Sequence, residues 1–203
     1  MIQRLDPIEL RVLGCLIEKK RTTPEQYPLT LNALRLACNQ TTNRDPVMEL
    51  DETQVRAAAQ SLGTKGYARL ATGPGSRTAK YRQLFQEALD LMPAEVSILA
   101  VLMLRGPQTV AELKARTARL ATIDDVPAEL ARLDEKELVH LLPRQPGQRE
   151  ERWTHLLAET PVAHAEEADA DPGEPAPLER RVARLEDRVD ELERLLAERG
   201  LLD

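Results

Sequence analysis

One pattern occurs twice along the chain and sets most of the limits on its fold. Leu62, Lys65, Tyr67, Leu70 and Tyr81 are answered by Leu133, Lys136, Leu138, Leu141 and Trp153, 71 or 72 positions on. The first copy opens with Asp6-Pro7-Ile8-Glu9, an N-cap, a Pro at the first helical position and a Glu able to return to the cap. Leu5, Ile8, Val12, Cys15 and Leu16 form the main apolar stripe of the helix that starts there, and Leu10, Leu13 and Ile17 widen it. Thr23-Pro24-Glu25-Gln26 reads as a second capping box, residues 29–38 as a second helix ending near Asn39, and residues 39–46 as a turn-rich loop. Asp51-Glu52-Thr53-Gln54 starts a third helix that turns Val55, Ala59 and Leu62 inward and ends at Gly66. Residues 67–72 and 77–82 read as strands around Gly73-Pro74-Gly75-Ser76. Three helices and a hairpin make a winged helix-turn-helix.

The second copy places helices at 93–105, from the Thr109-Val-Ala-Glu112 box to about Ala118, and at 127–137, with strands at 138–142 and 151–157. The expected fold is therefore mainly α with small β hairpins. Tandem winged helix-turn-helix domains occupy 1–90 and 91–157, followed by a disordered linker at 158–177 and a C-terminal coiled-coil helix at 178–203. Residues 96–104 are apolar on every face apart from Ser97, more than a lone three-helix domain can bury, so this helix should also pack on the first domain.

Five aromatic residues in 203 exclude a base-stacking platform and require an aliphatic core. The longest apolar run, residues 98–104, falls far short of the roughly 20 residues of a membrane span. The first residues lack the apolar segment of a secretory signal, so a cytoplasmic protein without membrane contact is expected. Cys15 and Cys38 lie inside apolar helical patterns with no C-x-x-C spacing and read as reduced core thiols. None of the phosphate-loop, dinucleotide, zinc-protease or nucleophile-elbow motifs is present, and His140, His155 and His164 have no acids or thiols at ligand spacing. The expectation is a non-enzymatic protein with no cofactor and no metal.

The net charge of −6 is uneven. Residues 1–90 carry +3, residues 91–157 carry −1 and residues 158–203 carry −8. The part expected to fold is thus slightly basic, and the overall acidity is no argument against nucleic acid. Duplex DNA is the first functional candidate. A winged helix lays its third helix in the major groove and sets its hairpin on the backbone. Arg56 and Gln60 are the base readers on that helix, and Lys65, Arg69, Arg77, Lys80 and Arg82 the phosphate contacts. Basic residues on a hairpin also serve simply to keep an exposed strand soluble.

The loop residues Asn39, Gln40, Asn43 and Arg44 could present amides and a guanidinium to a phosphate or a partner. They also suit a helix C-cap followed by an Asx-type turn into Pro46. The second domain is the poorer DNA reader, since Glu129, Asp134, Glu135 and Glu137 outnumber Arg132 and Lys136 on its third helix. Arg144, Arg149 and Arg152 in its hairpin are offset by Glu150 and Glu151, and Trp153 reads as a core anchor. A scaffold whose tandem winged helices bind a protein partner is the alternative function.

Past the acidic, Pro-rich stretch, Leu178, Val182, Leu185, Val189, Leu192 and Leu196 alternate steps of four and three. Val at a and Leu at d favour two parallel strands, and Arg181 and Arg188 at g would face Glu186 and Glu193 of a second copy. A homodimer through a parallel coiled coil is the resulting expectation, with a single helix folded back on the domains as the other possibility.

The stretch from Leu31 to Val47, with Asn39-Gln40 and Asn43-Arg44-Asp45-Pro46, resembles the signature of the bacterial YceH-like family of uncharacterised proteins. Cys15-Leu-Ile-Glu-Lys19, Tyr27-Pro28-Leu29, Gly75-Ser76-Arg77, Lys80-Tyr81, Leu104-Arg-Gly-Pro-Gln-Thr109, Ala115-Arg-Thr117 and Pro146-Gly147 extend the likeness over about residues 5–157. The resemblance implies two winged-helix domains in a bacterial cytoplasmic protein and no established activity. The acidic linker and heptad tail look like an addition to that family's pattern.

Overall fold

Helix α1 (Pro7–Thr22) begins as its capping box dictates. The Asp6 carboxylate accepts from the N–H groups of Ile8 and Glu9 at 2.7 and 2.8 Å, and Glu9 accepts the Asp6 N–H at 2.8 Å. This computed structural model describes residues 3–71, 79–144 and 148–158, all within one compact unit, Met1–Val162. Arg77 and the tip of the first hairpin lie outside the described residues, as do the heptad positions Leu178, Val182, Leu185, Val189, Leu192 and Leu196 and the expected linker except its first residue, Ala158, which bridges to Leu5.

Thr23 closes α1, donating both its N–H and its hydroxyl to the Lys19 carbonyl. So engaged, its side chain does not cap the next turn, and Pro24–Gln26 is one 3-10 turn in place of the second capping box. The next helix, α2 (Leu31–Cys38), starts two residues later than expected. Leu29–Thr30 form a short strand, β1, and the Thr30 hydroxyl caps α2 by accepting the Ala33 N–H at 3.2 Å. Helix α3 (Glu52–Thr64) carries the expected Asp51/Gln54 box, with Gly66 just beyond it in the left-handed region at φ 77°. Strands β2 (Ala68–Ala71) and β3 (Lys80–Gln83) come next, then one turn of helix, α4 (Phe85–Ala88). The antiparallel sheet has the order β1-β3-β2.

The same plan returns in α5 (Pro93–Arg105), α6 (Val110–Thr117), α7 (Val126–Glu135), β4 (Val139–Leu142) and β5 (Arg152–His155). Equivalence holds to the level of single bonds. Leu70 pairs with Tyr81 and Leu141 with Trp153 across the two hairpins. Leu29 pairs with Tyr81 ahead of the Thr30 cap, and Gln108 with Trp153 ahead of the Thr109 cap. Trp153 is half-buried against the core instead of anchoring its centre.

Each repeat also ties the start of its first helix to the end of its third. Lys65 reaches the Glu9 carboxylate at 2.6 Å and the Arg4 carbonyl at 2.9 Å, and Lys136 reaches Glu95 at 2.7 Å. Both glutamates are buried. Lys65, expected as a phosphate contact, is engaged here as half of a partly buried structural pair, recurring at Lys136 in the repeat with the more acidic third helix.

Burial pushes the Glu9 carboxyl upward, but bonds from Lys65, Ser61 and the Asp6 N–H outweigh it and hold the pKa below the ordinary value. A carboxylate depressed in the folded state stabilises above its unfolded pKa, and that contribution is lost as pH falls through the folded value. Thermal melts from about pH 7 to about pH 3 should show wild type losing its advantage over Glu9→Gln at the acid end. Parallel profiles throughout would mean that the pair contributes nothing pH-dependent.

The two repeats share a continuous aliphatic core. Helix α5, buried from Glu95 to Leu104, crosses α1 as its all-round apolarity requires. The crossing is close at Gly14, where a Cβ would lie 2.9 Å from Cγ and Cδ2 of Leu104. The path closes where the Leu5 N–H donates to the Leu157 carbonyl at 2.8 Å. No helix among the described residues is long and apolar enough to cross a membrane.

Candidate nucleic-acid interface

Register decides which side chains the first hairpin presents. Ala68 lies opposite Gln83 and Leu70 opposite Tyr81, while Arg69 lies opposite Arg82 and Ala71 opposite Lys80. Because successive side chains alternate faces, Arg69, Lys80 and Arg82 share the face turned away from Tyr81. Two arginines directly across from each other repel. Arg82 is relieved by Glu87 at 3.1 Å, and Arg69 has no ion pair among the described residues.

The last turn of α1 brings further cations near Arg82 and α4. Arg21 donates to the Gln86 side chain at 3.2 Å. Burial, and then the charges of Arg21 and Arg82, hold the Lys20 ammonium below its ordinary pKa, with Glu87 acting against them. Lys20 and Arg21 are absent from the sequence candidates. Their signal is the run Lys19-Lys20-Arg21, which suits the negative end of a helix dipole equally well.

On α3, Val55, Ala58, Ala59 and Leu62 are buried, and Arg56 and Gln60 are exposed as expected. The same exposed surface carries Glu52, Thr53 and Ala57, so Arg56 is its one cation. The helix leads into β2 through Lys65 and Gly66.

In the 39–46 loop Arg44 is buried and Asn39, Gln40 and Asn43 are partly buried, and of their two readings the bonds they make favour the structural one. Asn39 makes a two-point bond with the Leu50 backbone, its amide donating to the carbonyl at 2.8 Å and accepting the N–H at 2.9 Å. The Arg44 side chain has no solvent exposure. Its guanidinium donates to the carbonyls of Ala37 and Asn43, to Gln40 at 2.8 Å and to Glu18 at 2.6 Å. Asn43, at φ 62°, accepts from Arg105 of the second repeat. Glu18 also accepts from Arg119 at 2.7 Å, and the Asp45 N–H donates to the Leu104 carbonyl at 2.8 Å. Arg11, also buried, donates to the carbonyls of Cys38 and Pro46. These bonds tie the loop into the fold, and the buried Arg44 guanidinium is not presented to solvent.

A family model described as "Protein of unknown function, DUF480" matches residues 5–148, and the chain belongs to that family. The match takes in the first repeat and the second as far as its hairpin turn, in agreement with the YceH-like resemblance. Among its relatives, a UPF0502 protein of Geobacter metallireducens is 49% identical over 195 residues, covering 91% of this chain and 88% of that protein. A UPF0502 protein of Solibacter usitatus is 48% identical over 200 residues, with 94% of each chain covered. One from Pseudomonas fluorescens strain SBW25 is 44% identical over 207 residues, covering 95% and 94%. Alignments of that extent run well past residue 157, so these relatives continue into the tail, while the family model itself stops at residue 148, short of the linker and heptads.

Proposed function

We propose that each repeat is a winged helix and that the protein is a cytoplasmic, non-enzymatic regulator binding duplex DNA through the first of them. The observation that carries this reading is the basic face of the first hairpin, where Arg69, Lys80 and Arg82 stand on one side of the sheet, with Lys20 of α1 near enough to Arg82 for their charges to interact. Such a face suits the phosphate backbone, with Arg56 and Gln60 on the exposed side of α3 as base readers and Arg77 as a further phosphate contact. The heptads from Leu178 to Leu196 support pairing of two copies as a parallel coiled coil, which suits a two-fold operator.

Fluorescence anisotropy of a labelled random duplex against the full-length chain tests the proposal across a salt series. The slope of log K against log salt is expected at about −3 or steeper, at roughly 0.9 per phosphate neutralised. Arg69→Ala with Arg82→Ala should make it shallower by about two. No binding at about 50 mM salt, or a slope that ignores the double change, would reject DNA as the partner. The protein-scaffold reading would then take its place, favoured by Leu36 and Val47, which leave more than half of their surface in water at 56% and 53%.

A further inference from the structure

A cleft of about 250 Å³ opens where the two repeats meet, and its polar lining is strongly cationic. Arg105 at the end of α5, Arg116 in the last turn of α6 and Arg119 just beyond that helix all face it. Glu18 is the one carboxylate in the lining, and it is already shared between Arg119 at 2.7 Å and the wholly buried Arg44 at 2.6 Å. Arg116 has Glu112 at 3.6 Å, a long contact on the helix surface. Arg105 is bonded to the neutral amide of Asn43 and makes no ion pair among the described residues. Arg152 also reaches Glu112, at 2.9 Å, so five guanidiniums gather around two carboxylates, leaving a positive excess where Arg105, Arg116 and Arg119 converge. Burial, followed by the charges of Arg116, Arg119 and Arg44, holds the Arg105 pKa below its ordinary value, in keeping with that excess.

Crowding of this kind raises the free energy of the empty cleft and falls when an anion enters. Guanidinium groups match tetrahedral oxyanions through paired N–H donors, which a lysine cluster would not do as well. The remaining wall is apolar, formed by Val101, Leu104 and Leu120. The volume lies just under the range of about 300–1,000 Å³ typical of sites for drug-sized ligands, leaving room for a phosphate and a few carbon atoms.

We propose that this cleft binds a small phosphate monoester, its phosphate held by Arg105 and Arg116 and its carbon portion set against Val101, Leu104 and Leu120. The site does not depend on DNA binding, and it draws residues from both repeats.

Phenyl phosphate is the probe, titrated calorimetrically into the full-length chain. Saturable binding is expected, weakened about tenfold or more by Arg116→Gln and by Arg105→Gln, the loss appropriate to one charge-assisted hydrogen bond. Among the described residues the one ion pair of Arg116 is with Glu112, which Arg152 also holds, so the Arg116 variant should keep the wild-type circular dichroism and melting temperature even if Arg105→Gln disturbs the Asn43 contact. Arg69→Gln, on the basic hairpin, should bind as wild type does. The proposal is overturned if wild type shows no saturable heat at about 10 mM probe, a concentration at which even very weak sites fill. It is also overturned if Arg116→Gln binds undiminished, or if Arg69→Gln loses as much as Arg116→Gln does.

Discussion

Glu18→Ala is expected to destabilise the protein by about 3–5 kcal/mol, the range for breaking a buried ion pair from one side. Glu18 holds two guanidiniums in short contacts, with Lys19 farther off at 4.0 Å, and the two arginines differ in what they would lose. Arg119 is about half exposed, at 52%, and can return to water, whereas the Arg44 side chain is at 0% and would stay buried facing only carbonyls and an amide. The stranded guanidinium accounts for most of the effect. Arg119→Ala should therefore cost far less, and replacing Glu18 and Arg44 together by Leu and Met should recover much of the loss. Urea unfolding of the variants supplies the comparison, and a Glu18→Ala loss below about 1 kcal/mol would show that Arg44 has another route to charge compensation.

Gly14→Val should cost about 1–3 kcal/mol or more through overpacking where α1 crosses α5. A Cβ there already meets Cγ and Cδ2 of Leu104 at 2.9 Å and Met103 Cβ at 3.4 Å, and valine adds two methyl groups beyond it. Ala is the informative control, because its gain of about 1 kcal/mol in helix propensity over glycine opposes a smaller clash. Trp153, the only tryptophan, lies in the other repeat and supplies a second readout. If the shared core melts as one, Trp153 fluorescence and helical circular dichroism should shift together on Gly14→Val. A shift in the helical signal alone would mean that the repeats unfold separately.

Features carried by local chemistry were legible in the sequence. The boxes at Asp6, Asp51 and Thr109, the all-round apolar α5 and the matching of Leu70 and Tyr81 with Leu141 and Trp153 all appear where spacing placed them. Of the candidate interface, Arg56, Gln60 and Arg69 are exposed, and Lys80 and Arg82 are half-buried on the same strand face as Arg69. What stayed hidden depends on partners far away in the chain. The two-residue strand β1 exists because of Tyr81 and Lys80, some fifty positions later. Arg44 looks like a loop cation until Glu18, 26 residues earlier, is brought beside it, and Arg119 joins from 101 residues away. Lys65 is the instructive case. Its recurrence as Lys136 in a repeat poorly suited to DNA was visible in the sequence, and duplicated Glu–Lys pairs explain that recurrence better than a shared phosphate would.

The bond between Leu5 and Leu157 has one more meaning. It turns the described chain into a circuit, with the segment that opens the first repeat lying beside the segment that closes the second. A circuit has no privileged starting point, because every contact that holds it is indifferent to where the backbone is cut, provided the cut falls in an exposed turn. The order in which the repeats are read along the polypeptide is thus a property of its synthesis, and the assembled molecule retains little of it.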